Sequence, residues 1–112
     1  ELPLPIDKTE RVTEELAEAW LRRDLSLFED GVAKLTAGLN LPQHQFDALV
    51  DFAYNCGLTN LSTSTLLRYI KAKRSTADIC NQFRRWNRAA GKVLPGLIKR
   101  REWECNRWKN IV

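Results

Sequence analysis

Thr13-Glu14-Glu15-Leu16-Ala17-Glu18-Ala19-Trp20-Leu21-Arg22-Arg23-Asp24-Leu25-Ser26-Leu27-Phe28-Glu29-Asp30-Gly31-Val32-Ala33-Lys34-Leu35 sets the fold class. Leu16, Ala17, Trp20, Leu21, Leu25, Phe28, Val32 and Leu35 recur at steps of three and four, which draws one apolar stripe along a helix of roughly seven turns. Thr13 suits the N-cap, and Glu14 and Glu15 sit in the first turn, where carboxylates favour the helix dipole. Gly38 and Asn40 end the helix.

Downstream, the helical period repeats. Pro42 fits the first turn of a second helix, where its missing N–H costs nothing. Phe46, Leu49, Val50, Ala53 and Cys56 mark that helix's buried side, and Gly57 suits a left-handed C-terminal position. The polar stretch Thr59-Asn60-Leu61-Ser62-Thr63 predicts a turn whose hydroxyls cap a short helix carrying Leu66, Leu67 and Ile70. A further helix opens near Ser75 or Thr76 and is expected to bury Ala77, Cys80, Phe83 and Trp86. Asn87 to Val93 reads as a loop. Pro95 and Gly96 open a last helix, with Leu97, Ile98, Arg101, Cys105 and Trp108 on related faces. No stretch alternates with the β period. The expectation is an all-α single domain of five or six helices over residues 13–112, preceded by an extended N-terminal strap over residues 1–12 that carries Pro3 and Pro5.

The 112 residues suffice for one domain, and 44% hydrophobic with 29% charged residues is the balance of a folded globule rather than a disordered tail. No apolar window reaches a membrane-spanning length. The start Glu1-Leu2-Pro3-Leu4-Pro5 has no basic region before an apolar one, which predicts no signal peptide, and the first residue is Glu rather than Met, as in a fragment or a processed product.

Charge is unevenly placed. Residues 1–67 carry a net of −6 and residues 68–112 a net of +10. A basic half points to an anionic partner, set against the plainer reading of a solvated, arginine-rich helix face.

Three cysteines, Cys56, Cys80 and Cys105, match no metal spacing with the single histidine, His44. One bridge plus a free thiol and three buried reduced thiols both fit, the second being the plainer reading. His44, Asp47 and Asp51 share a helix face, which reads as solvated rather than as a metal or acid–base site. Glu15 and Asp24 lie about two and a half turns apart, on opposite helix faces, and cannot converge on one bond. No Gly-rich phosphate loop and no Ser-His-Asp set are present. No catalytic residue, metal ligand or cofactor is assigned. The strongest constellation runs from Gln82 to Glu102, where Arg84, Arg85, Arg88, Trp86 and Asn87 meet a helix start at Gly96. Such indole and amide edges suit a sugar or a base.

Gln45-Phe46-Asp47-Ala48-Leu49-Val50-Asp51-Phe52-Ala53-Tyr54-Asn55-Cys56-Gly57 resembles a helix of the phage-type lysozymes, the endolysins of glycoside hydrolase family 24. Ser64 to Arg68 does so too, and Gln82 to Arg101 resembles that family's Q-x-x-R-W…G-K…L-x-G-L-x-x-R-R block. Thr13 to Asp24 is similar to its first long helix. The resemblance spans about residues 11–108.

It implies a lysozyme-like C-terminal helical lobe that walls one side of a peptidoglycan cleft, with Asn55, Arg68, Trp86, Asn87 and the Lys92–Gly96 loop as substrate-binding residues. The reaction it implies is hydrolysis of the MurNAc-GlcNAc β-1,4 bond. The family's catalytic residues lie in an earlier lobe, a glutamate at the end of a helix and then an Asp or Cys and a Thr on a hairpin rich in Gly, Tyr and Thr. Here Glu15-x8-Asp24 repeats the first spacing, but position 30 is Asp30, and all three fall within one predicted helix. The catalytic lobe is therefore expected to be absent from these 112 residues, and the chain alone inactive. The implied partners are peptidoglycan, or an N-terminal lytic lobe or other protein. One alternative is a catalytically inactive lysozyme-like binder or regulator, and a basic helical nucleic-acid binder is the least favoured reading. The resemblance also implies a phage-encoded protein acting at the wall from the host cytoplasm or periplasm. It makes a Cys80–Cys105 bridge conceivable, because those cysteines fall on two helices that pack together in the family.

Overall fold

The structure, a computed structural model, describes the backbone of residues 14–110 and side chains from Leu25 through Asn110. The expected strap over residues 1–12 and the Thr13 cap lie outside the described residues. Six helices follow in order: α1 (Glu14–Leu35), α2 (Gln43–Cys56), α3 (Leu58–Ser62), α4 (Thr65–Lys71), α5 (Thr76–Arg84) and α6 (Pro95–Lys109). The chain is mostly α, as its helical periodicity predicts. A two-stranded antiparallel hairpin, β1 (Arg88–Ala89) and β2 (Lys92–Val93), interrupts it between α5 and α6.

Helix α2 is the axis of the fold. It packs against α1, α3 and α6, while α5 bridges α4 and α6. Ala48, Leu49, Phe52 and Ala53 are completely buried on α2, and they meet Phe28 and Val32 of α1, Leu66 of α4 and Phe83 of α5. Aromatic rings stitch the layers edge to face: Phe28 on Tyr54 at 5.5 Å, Phe52 on Phe83 at 5.8 Å and Phe52 on Trp86 at 5.3 Å. Gly31 lets α1 approach α3, because a Cβ there would stand 2.5 Å from a methyl of Leu58.

Local chemistry explains where elements begin. Ser75 Oγ accepts from Asp78 N at 3.1 Å and opens α5. The cap of α4 is Ser64, whose Oγ accepts from Leu67 N at 3.0 Å, rather than a hydroxyl of the preceding stretch. That stretch is itself one helical turn, α3, wound inward by the completely buried Leu61. Gly57 takes a positive φ of 101°, but its ψ of 146° is extended rather than left-handed helical, so it joins α2 to α3 without a continuous helix. Ala77 faces outward, and Ile79 takes its expected place in the core.

The expected loop at Asn87–Val93 is the hairpin. Ala90 and Gly91 turn it with φ of 55° and 79°, the left-handed pair that a two-residue hairpin loop requires. The cysteines resolve as one bridge, Cys80–Cys105, joining α5 to α6, with Cys56 free and half-buried. The reading of three reduced thiols is thereby corrected: α5 and α6 pack together, which brings two cysteines 25 residues apart to a Cα separation of 5.2 Å. No helix among the described residues is long and apolar enough to cross a membrane.

Candidate functional site

Trp86 follows α5, and its backbone N–H donates to Phe83 O at 3.1 Å. Its ring stands edge-on to the buried Phe52, and its carbonyl accepts from Arg101 Nη1 at 3.2 Å. The indole is thus fixed from both sides and half-exposed at the mouth of a cavity of about 270 Å³ lined by Asn55, Cys56, Asn60, Trp86, Arg88 and Arg101. This hollow lies where the end of α2, the helix α3, the hairpin and α6 converge. Its wall combines an indole, two amides and two guanidiniums. Such a surface stacks on an apolar ring face while offering donors to hydroxyl or carbonyl oxygens.

Arg101 organises the floor. It is 1% exposed, and Nη1 also donates to the Cys56 Sγ at 2.8 Å. Its other nitrogens face Glu104, which is 0% exposed: Nη2 donates to Oε2 at 2.7 Å, and Nε stands 2.7 Å from Oε1 as an ion contact without hydrogen-bond geometry. Burial, then the hydrogen bond with Asp51, pushes the Glu104 carboxyl up to about 10 against the pull of Arg101. Asp51 moves the other way. Burial would raise it, but hydrogen bonds from Glu104 and Arg100 outweigh that and hold it below its ordinary value. Arg100 clamps Asp51 with two hydrogen bonds of 3.1 and 2.7 Å. Burial also pushes the Cys56 thiol up, against the nearby Arg101 charge, so this cysteine is held as a thiol rather than an activated nucleophile.

The structure brings together some of the sequence-derived binding residues and separates others. Asn55 and Trp86 share the cavity. Asn87 lines a neighbouring hollow with Arg84, Ile98, Arg101 and Glu102, and Gly96 another with Asp51, Lys99, Arg100 and Trp103. Arg68 lies on α4, where its Nη2 donates to Thr65 Oγ1 at 3.0 Å. Lys92 is exposed on β2. Asn60, Arg88 and Arg101 were not singled out from sequence as binding residues, although Arg88 and Arg101 fall inside the constellation quoted above. His44, Asp47 and Asp51 form no shared site: His44 Nδ1 lies 3.0 Å from Arg107 O, Asp47 pairs with Arg107 at 3.2 Å, and Asp51 pairs with Arg100. No group of three or more His, Cys, Asp or Glu side chains suited to a metal occurs among the described residues.

Known proteins are similar to this chain in sequence and, among solved structures, in fold. The chain is 50% identical over 93 residues to the endolysin of Bacillus phage B103, covering 83% of this chain and 35% of that protein. To the endolysin of Acyrthosiphon pisum secondary endosymbiont phage 1 it is 39% identical over 103 residues, covering 83% of this chain and 65% of that one. The chain thus spans about a third of the Bacillus phage relative's length. Among solved structures, the muramidase domain of SpmX from Asticaccaulis excentricus superposes with a TM-score of 0.78 at 34% identity, covering 92% of this chain and 71% of that one. An endolysin from Escherichia coli O157:H7 phage FAHEc1 gives 0.79 at 30%, covering 93% and 67%. The family description "Phage lysozyme" matches residues 3–104, nearly the whole length, and the chain belongs to the phage lysozyme family.

Proposed function

We propose that this chain is the helical lobe of a phage-encoded, muramidase-type endolysin, and that it holds bacterial peptidoglycan against Trp86 while the MurNAc-GlcNAc β-1,4 bond is cut. The observation that carries this reading is the Asn55–Trp86–Arg88–Arg101 hollow at the convergence of four elements, in a chain of this family. Asn55, Trp86 and Asn87 supply the stacking face and amide edges, while Arg68, Lys92 and the turn before Gly96 flank the track. The protein acts at the cell wall, reached from the host cytoplasm or periplasm.

The 112 residues bind without cutting. Glycoside hydrolysis needs a proton donor at the leaving oxygen and a second group across the bond. The carboxylates that line the described cavities, Asp51 and Glu102, are each engaged by an arginine. Glu104 has the raised proton affinity of a general acid, but it is completely buried. Binding without a group specific to the transition state leaves the barrier where it was.

A specific observation favours a protein contact as a second function of the same lobe. Val93, Leu94 and Ile98 are exposed in near succession at the start of α6, a surface fit for a lytic lobe or regulatory partner.

The test is twofold. The purified 112-mer should bind chitooligosaccharide or soluble peptidoglycan fragments with a change in tryptophan emission that Trp86→Ala removes. It should also leave the turbidity of permeabilised bacteria unchanged. Clearing by the 112-mer refutes the division of labour, and absent glycan binding refutes the reading itself.

A further inference from the structure

The arginines sort into two groups. Of the eight whose side chains are described, five are tied to a carboxylate: Arg74 to Asp78, Arg84 to Glu102, Arg100 to Asp51, Arg101 to Glu104 and Arg107 to Asp47. Arg68, Arg85 and Arg88 are exposed and have no carboxylate partner among the described residues. These three are not scattered. Arg85 lines a cavity of about 290 Å³ together with Thr65 and Trp86, and Arg68 reaches the same wall, its Nη2 donating to Thr65 Oγ1 at 3.0 Å. Arg88 lines the Asn55 hollow, which shares the Trp86 ring. The uncommitted cations thus form a row that runs from Arg68 through Arg85 and Trp86 to Arg88. No Asp or Glu lines either cavity, so nothing along the row offsets its positive potential.

Three guanidiniums at separate positions call for a ligand that carries several anionic groups in sequence, and the guanidinium fork fits a phosphate oxygen pair. The ring narrows the class. Proteins that follow a single-stranded nucleic acid stack its successive bases on successive rings. The two cavities of this row share one indole, flanked in the hollow by the amides of Asn55 and Asn60, a setting for one sugar and its hydroxyls. We propose that this row binds a phosphodiester-linked anionic polymer carried by the glycan of the wall, with a sugar against Trp86 and phosphates on Arg68, Arg85 and Arg88. This rests on the peptidoglycan reading above and adds to it a partner of opposite charge, whose attraction brings the lobe to glycan strands that bear the polymer.

The experiment compares binding of the 112-residue chain to four probes: bacterial walls that carry a glycosylated glycerol-phosphate polymer, the same walls stripped of it by cold hydrofluoric acid, the free polymer, and a single-stranded oligonucleotide of equal charge. Intact walls are expected to bind about tenfold more tightly than stripped walls at about 50 mM salt, and the preference falls to about twofold at about 200 mM as counterions compete. Arg85→Gln and Arg88→Gln, checked for native melting, each reduce the preference about threefold, the scale of one exposed ion pair. Lys109→Gln removes the same charge from the far end of α6 and keeps it. In the unmodified chain, the NMR signals of the Arg85 and Arg88 Nε–H groups shift with the free polymer while those of Arg74 and Arg107 stay, a readout that needs no variant. Equal binding to intact and stripped walls overturns the proposal and leaves the glycan reading in place, since stripping spares the glycan. A preference that survives both arginine variants overturns it too. So does an oligonucleotide that binds as tightly as the free polymer, which assigns the row to polyanions in general. If stripped walls fail to bind but the free polymer is held through Arg85 and Arg88, the glycan reading falls and the phosphate row stands.

Discussion

Arg101 and Glu104 meet one turn apart on α6, 2.7 Å from each other and both removed from water. A guanidinium cannot shed its charge, so the pair is tolerable only because Asp51, Cys56 Sγ and Trp86 O complete the network around it.

Glu104 gives this network a definite pH dependence. Its folded-state value, raised to about 10 from an ordinary 4.5, means that its contribution is complete below the unfolded value and is lost as pH rises from there through about 10. Asp51 is lowered, so its contribution is present above its ordinary value of 3.8 and is lost as pH falls through its folded value. Glu104→Gln imitates the protonated acid, so it should cost about 1 kcal/mol at acid pH, where the Glu104 contribution is complete, should be no less stable than the parent at neutral pH, and should flatten the alkaline limb of the stability profile. Glu104→Ala, which leaves Arg101 without its partner, should cost about 3–5 kcal/mol. Urea melts of both variants between pH 5 and 10 decide it. Equal losses at pH 7 mean that Glu104 is ionised there.

The Cys80–Cys105 bridge closes a loop with a sequence separation of 25, for which chain entropy gives about 3 kcal/mol. Thiol titration in denaturant should find one reactive cysteine before reduction and three after it. Cys80→Ala/Cys105→Ala should lower the melting temperature to that of the reduced chain. Three thiols before reduction refute the bridge.

At the hairpin, Ala90 holds φ of 55°. Ala90→Asn or Ala90→Gly should stabilise the protein by about 0.5 kcal/mol, since both residues reach that region more readily than alanine. Thermal unfolding of the two variants tests this, and a loss in both would mean that the turn conformation is something else.

Where α1 crosses α3, Gly31→Ala must push Leu58 aside and should cost about 1–3 kcal/mol. Combining it with Leu58→Ala should cost less than the two single losses added together, because the new methyl occupies space the leucine vacates. Strict additivity in a double-mutant cycle argues against the contact.

What the sequence made legible follows the range of the forces involved. The second half of the α1 stripe (Leu25, Phe28, Val32 and Leu35), Ser75 as a cap and Pro95 at the start of α6 are local signals, and each is found where the pattern puts it. The α3 turn was hidden because its three polar residues, Thr59, Asn60 and Ser62, surround the buried Leu61 that winds it. Ala90 concealed the hairpin, since alanine does not advertise a left-handed turn. At the site, Asn55 and Trp86 were visible through their resemblance to a family helix and block. Arg101 lay inside a quoted motif, but its burial against Glu104 is a tertiary fact that spacing does not encode.

The bridge between α5 and α6 encloses Trp86 and the whole β-turn in one covalent ring. A protease that nicks the exposed Lys92 would therefore leave both fragments tethered. The cut protein would migrate as one band until a reductant is added, so damage at the tip of the hairpin need not release the helix that follows it.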